Sequence, residues 1–119
     1  MKEIRTNMWI DEQQLIYVNP ILVKMVWTNL MSNAIRYNYH GGTIEIYWNA
    51  GQLFFRNTGE DTALNEELIF SRFHSGKKHV GSIGIWLALV RKILYAYGYV
   101  ISYQFEDGLW HTFIIKSER

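Results

Sequence analysis

The chain has no cysteine. Disulfides, thiolate-zinc sites and cysteine nucleophiles are therefore excluded. It has one proline, so only one position forbids a backbone donor outright. It has almost no net charge, +1 from 12 basic and 11 acidic residues. Without a basic field the reading is no nucleic acid and no membrane contact. No apolar run approaches the about 18 residues that span a bilayer, and "MKEIRTNMWIDEQQ" lacks the apolar core of a signal peptide. No repeat or low-complexity tract is visible. The expectation is a cytoplasmic chain of one domain, residues 1–119.

Aromatic and apolar residues are what it has. Hydrophobic residues make up 49%, including five Trp, eight Tyr and six Phe, enough for a real core. Asn19-Pro20 opens a helix, since Asn caps and Pro fits the first turn. "ILVKMVWTNLMSNAIRY" continues it, with Leu22, Val23, Val26, Trp27, Leu30, Ala34 and Ile35 at three- and four-residue steps. "NYHGG" closes it. "QLIYV", residues 14–18, reads as a short strand before it. "TIEIYWN" and "QLFFRN" read as a hairpin about Ala50-Gly51. "EELIFSRF", residues 66–73, reads as a short helix. The second long helix, "IGIWLALVRKILYAYG", is closed by Gly98 and expected to be regular over residues 85–97. "YVISYQF" and "LWHTFIIKS" form a second hairpin about Asp107-Gly108. The order β-α-β-β-α-α-β-β predicts an α+β fold. Two long helices and a short one lie on one face of a mixed, mostly antiparallel sheet.

Three stretches have chemistry in them. Asn29 and Asn33 lie four residues apart and share a helix face, continued by Arg36 and Tyr37. Amide oxygens are hard ligands suited to magnesium, guanidinium holds phosphate, and a phenol ring lies against a base. The same pair can equally face solvent or bond a neighbouring loop. In "NTGED", Asn57 offers both an acceptor and a donor to a base edge, and Gly59 lets backbone come close. It also reads as an ordinary turn. Ser82 and Gly84 open a helix, whose N-terminus draws anions, and Lys77 and Lys78 sit in the polar loop before it. As loop and capping residues they need no ligand. His40, His74, His79 and His111 have no metal-ligand spacing and read as surface or loop histidines.

In this order the stretches resemble the catalytic ATP-binding domain of bacterial sensor histidine kinases, in the superfamily that also holds gyrase and heat-shock chaperone ATPases. "NPILVKMVWTNLMSNAIRYN" looks like its asparagine box, and "FFRNTGED" like its first glycine box. "LIFSRFHSG" looks like its phenylalanine box, "SIGIWLALVRKI" like its second glycine box, and "GLWHTFIIK" like its closing strand. The resemblance runs from Leu15 to Lys116. It implies a Bergerat-type two-layer α/β sandwich with ATP between a helix face and a lid. Asn29 and Asn33 match the magnesium ligands and catalytic asparagines. Arg36, Arg72, Ser82 and Gly84 match positions near the phosphates, and Lys77 lies in the loop that could fold over them. Tyr37, Asn57 and Thr112 match positions about the adenine, and Gly59 is the glycine of the first box that lets backbone approach the ligand. It further implies two-component signalling and phosphorelay. Phosphoryl would pass to a histidine on a separate dimerisation domain of a longer, membrane-anchored protein, and then to a response regulator. The fragment alone is not expected to autophosphorylate.

Three residues depart from the pattern. Asn57 stands for an aspartate, and Asp61 and Trp86 each for a glycine. They motivate an alternative, a degenerate member with weak or no ATP binding that acts as an interaction or regulatory module. A free-standing serine kinase of the anti-sigma type shares the fold. The working expectation is that the Trp86 indole turns toward the lid or the core and the pocket survives.

Overall fold

The computed structural model describes residues 3–9, 20–65, 69–70 and 82–118, with the backbone alone at 20, 22, 23 and 82–86. The described elements are β1 (Arg5–Trp9), α1 (Pro20–Arg36), β2 (Thr43–Asn49), β3 (Gln52–Thr58), α2 (Ser82–Ala96), β4 (Tyr99–Glu106) and β5 (Trp110–Ser117). The strands make one sheet in the order β1-β2-β3-β5-β4. β1 runs parallel to β2, with Arg5 opposite Thr43, and every other pairing is antiparallel. The expected α+β fold, a mixed and mostly antiparallel sheet with two long helices, is therefore what the chain forms.

Alternation along the strands decides where the core lies. Ile44 and Ile46 of β2, Leu53 and Phe55 of β3, Ile101 and Tyr103 of β4, and Phe113 and Ile115 of β5 are buried together. Against them pack Val26, Leu30 and Ala34 of α1 and Leu87, Val90 and Leu94 of α2. These helix positions recur at three- and four-residue steps, so each helix buries one stripe. Ile35 was expected in the α1 stripe but is exposed, because it sits off the 26-30-34 line. Trp27 meets Phe55 edge to face with centroids 5.7 Å apart. Phe70, from the segment expected as a short helix, meets Phe113 in the same way at 6.2 Å. Ile69 N–H donates to the Asn65 carbonyl at 3.0 Å; the rest of that segment lies outside the described residues.

The other sheet face is amphipathic. Tyr47 stacks on Phe54, and the Arg56 guanidinium lies 3.8 Å from the Trp110 ring centre and pairs with Glu45 at 3.0 Å.

Turn chemistry follows the residues. Ala50 and Gly51 both take positive φ, 53° and 77°, the geometry of a two-residue hairpin loop. Asp107 and Gly108 also take positive φ, 56° and 62°, in the three-residue connection between Glu106 and Trp110.

Two elements differ from expectation. The strand expected at 14–18 lies outside the described residues, and the described first strand is at Arg5–Trp9. Its burial shows no alternation, being an edge strand with nearly every side chain exposed, so no periodic signal marks it. α2 begins at Ser82 rather than residue 85. Gly84 stands in its first turn, where glycine's loss of helix propensity, about 1 kcal/mol, is outweighed by the apolar stripe that follows.

Candidate functional site

The site builds outward from α1. Asn33 is 8% exposed and Asn29 half-buried, one turn apart on the helix flank beside the core stripe. Among the described residues neither amide side chain has a hydrogen-bond partner. An amide with no described partner on a helix flank is one that water or a ligand can engage. Arg36, one turn on, is exposed, and Tyr37 is half-buried. Burial pushes the Tyr37 phenol above its ordinary value, while the Arg36 guanidinium pulls it down.

The end of α1 is fastened to the sheet by a polar clasp. The Thr58 hydroxyl donates to Asn38 Oδ1 at 2.6 Å and accepts from Thr43 N–H at 2.8 Å. The Asn38 amide donates to the Thr43 carbonyl at 3.1 Å, and its Oδ1 also takes Tyr39 N–H at 2.9 Å. Asn38 and Thr58 are both 4% exposed, and each hydrogen-bonding atom of the pair is engaged. Gly42 passes so close that a Cβ there would overlap Asn38 Oδ1 and Thr58 Oγ1.

This clasp holds the chain at the point where β3 becomes loop. Asn57 is 3% exposed and on the helix-facing side of the sheet, between Ile44 of β2 and His111 of β5. Its Nδ2 donates to the Thr58 carbonyl at 2.8 Å. That bond fixes the amide orientation, since a flipped amide would set oxygen against oxygen. The remaining atom, Oδ1, is an acceptor only. Gly59 lies where a Cβ would stand 3.2 Å from the Tyr37 carbonyl and 2.9 Å from the His111 ring. The bare backbone of Gly59 is thus what lets α1, β3 and β5 converge. Asp61 is exposed.

Of the residues singled out from sequence, Tyr37, Asn57 and Gly59 converge at this end of the sheet, with Asn29, Asn33 and Arg36 on the helix leading to it. Thr112 does not join them. It pairs with Arg56, so alternation places it on the opposite sheet face, where its hydroxyl donates to Glu106 at 2.9 Å. His111, read from sequence as a surface or loop histidine, takes the inward place beside Asn57 and is 5% exposed. The signal for this was available: Phe113 and Ile115 set the inward parity of β5, and residue 111 shares it. Ser82 and Gly84 lie in the first turn of α2. Arg72, Lys77 and the Trp86 side chain lie outside the described residues.

Comparison with known proteins gives consistent findings. The profile of the histidine kinase-, DNA gyrase B- and HSP90-like ATPases matches residues 18–119. No curated protein matches the sequence. Among solved structures, a mycobacterial sensor histidine kinase, MprB, superposes with a TM-score of 0.66 at 16% identity, over 95% of this chain and 78% of that one. The nucleotide-free catalytic domain of histidine kinase ThkA gives 0.65 at 22% identity, over 96% and 79%. The cytoplasmic segment of histidine kinase QseC gives 0.60 at 15% identity, over 97% of this chain and 57% of that one. At these identities the likeness is one of fold, and this chain spans little more than half of the QseC segment.

Proposed function

With residues 18–119 matched, this chain belongs to the histidine kinase-, DNA gyrase B- and HSP90-like ATPase family, and from that premise we propose that it is the catalytic domain of a sensor histidine kinase. It would bind Mg-ATP and present the γ-phosphate to a histidine on a separate dimerisation domain, with a response regulator downstream. The observation carrying this reading is Asn33, a buried mid-helix amide whose side chain bonds no described residue. A helix interior disfavours asparagine, and a ligand for the amide would give it a reason to stand there.

The donor set fits the proposed group. Two amide oxygens are hard donors of the kind magnesium takes. Among the described residues no three acidic, histidine or cysteine side chains gather to hold a metal. The ion's other ligands would then be phosphate and water, and metal binding would depend on nucleotide. Asn57 Oδ1, held as an acceptor, suits the amino group of adenine. Bound Mg-ATP would supply the phosphoryl group, and the chain's part is positioning and charge neutralisation. The alternative of a degenerate module drew on Asn57, Asp61 and Trp86. Asn57 keeps an acceptor and Asp61 is exposed, so two of those three objections weaken.

Titration with a non-hydrolysable ATP analogue, with and without magnesium, tests the reading. Binding is expected in the micromolar to millimolar range, about −8 to −4 kcal/mol, and to require magnesium. Asn33→Ala should remove the magnesium dependence and leave the fold unchanged by circular dichroism. No binding by the wild type at millimolar nucleotide would sink the proposal.

A further inference from the structure

The loop after Gly59 is held at two points by side chains of β4 and β5. His111 Nε2 lies 2.7 Å from the Glu60 carbonyl oxygen, and His111 Nδ1 lies 2.7 Å from Tyr103 Oη. Leu64 N–H donates to the same Tyr103 oxygen at 2.9 Å. For a neutral imidazole the proton positions follow from the partners. A carbonyl only accepts, so Nε2 carries the imidazole proton. A neutral ring has one such proton, so Nδ1 accepts and takes the Tyr103 hydroxyl proton. Tyr103 oxygen then receives Leu64 N–H while donating to His111. Both ring nitrogens are spent inside the chain.

The ring is also gripped. It lies with its centre 4.8 Å from that of Phe105, and a Cβ at residue 59 would press on its Cδ2 and Nε2. Tyr103 is 7% exposed and packs on Phe113 with centroids 5.5 Å apart. The two side chains are therefore anchored in the core, and the loop is the part they restrain.

We propose that His111 and Tyr103 are positioning residues of the nucleotide pocket: together they clamp residues 60–64, and so fix Gly59, and Asn57 two residues before it, in the shape that meets the base. The ligand in this statement rests on the function proposed above, whereas the clamp is a property of the free chain. His111 is the cross-strand partner of Asn57, so releasing the ring loosens the backbone that holds the acceptor in place.

The test uses the full chain in two stages. In the absence of nucleotide, ¹⁵N imidazole shifts should report the Nε2–H tautomer for His111. Tyr103→Phe removes one oxygen and keeps the packed ring. It should speed amide exchange at Leu64 by about tenfold, the loss of one well-made hydrogen bond of about 1.4 kcal/mol, while amides of the β3–β5 ladder stay protected. An Nδ1–H tautomer, or Leu64 exchange unchanged in Tyr103→Phe, would overturn the clamp. In the second stage His111→Leu should weaken binding of Mg-ATP analogue about fivefold to tenfold. His111→Gln, whose side-chain amide still reaches the Glu60 carbonyl, should recover most of that loss; failure to recover it would reduce His111 to core filling. If His111→Leu does not fold, Tyr103→Phe takes its place in the titration. Equal binding by wild type and variants overturns the positioning role alone. No binding by the wild type overturns the proposed function, and the positioning role with it, while the exchange and tautomer results still report on the clamp.

Discussion

Replacing Thr58 by valine or by serine separates the hydroxyl from the methyl at the clasp that ties α1 to the sheet. Valine keeps the shape of threonine and deletes one oxygen. That oxygen accepts from Thr43 N–H and donates to Asn38 Oδ1, both below 3.0 Å, the first bond partly buried and the second buried. Losing it leaves a partly buried backbone N–H without that acceptor, at about 1–3 kcal/mol, and removes one further hydrogen bond of about 1 kcal/mol. Asn38 keeps its bonds to Thr43 and Tyr39, so the clasp is weakened rather than dissolved. Thr58→Val should therefore cost about 2–4 kcal/mol. Thr58→Ser keeps the hydroxyl and loses one methyl, about 1 kcal/mol. For a chain of this length about 4 °C of Tm accompanies each kcal/mol, giving falls of about 8–16 °C for valine and about 4 °C for serine. Thermal unfolding followed by circular dichroism reads both. A valine variant as stable as the serine variant would refute the argument, for it would mean that packing and not the hydroxyl holds this junction.

The other outcomes are as direct. The Tyr37 phenol titrates above 10.0 in the folded chain because burial disfavours its charged form. Its contribution to stability is whole below about pH 10 and is lost as pH rises through the raised folded value, so between about pH 9 and 11 the wild type should lose stability faster than Tyr37→Phe; parallel curves would contradict the shift. Asn57→Asp, which restores a carboxylate, should destabilise the free chain by about 1–3 kcal/mol at neutral pH, since it replaces the donor to the Thr58 carbonyl with an acceptor in a buried place. Urea unfolding measures it, and a variant as stable as wild type would show that the amide orientation is unimportant.

Where local pattern and tertiary packing agree, the residues announce the structure. The two hairpins were legible because Ala50-Gly51 and Asp107-Gly108 supply the positive φ that tight loops need, and β2 and β3 alternate, although β5 is buried continuously from His111 to Ile115. α1 was legible from its stripe. β1 was not, because an edge strand paired on one side buries too little to impose a period on "RTNMW". The start of α2 was misplaced for a different reason: glycine in a first turn reads as loop, and only the stripe beginning beyond it extends the helix back to Ser82.

The site repeats the lesson at finer grain. Box-by-box likeness singled out Thr112, whereas the sheet puts His111 on the inward face, and one residue of parity moves a side chain across the whole sheet. His111 shares the parity of Phe113 and Ile115, which pack in the core, while Thr112 shares that of Ile114. The consequence reaches past one assignment. An inward threonine would bring a small hydroxyl to the pocket, able to serve a ligand. An inward histidine with both nitrogens committed brings bulk and restraint instead. Under the proposed function, recognition of a base at the end of β3 would fall to Asn57 Oδ1 and to backbone, beside a loop tied down by side-chain hydrogen bonds. Such a pocket would gain affinity chiefly by being held ready, which would make the hydrogen bonds behind it as consequential as the atoms that face the ligand.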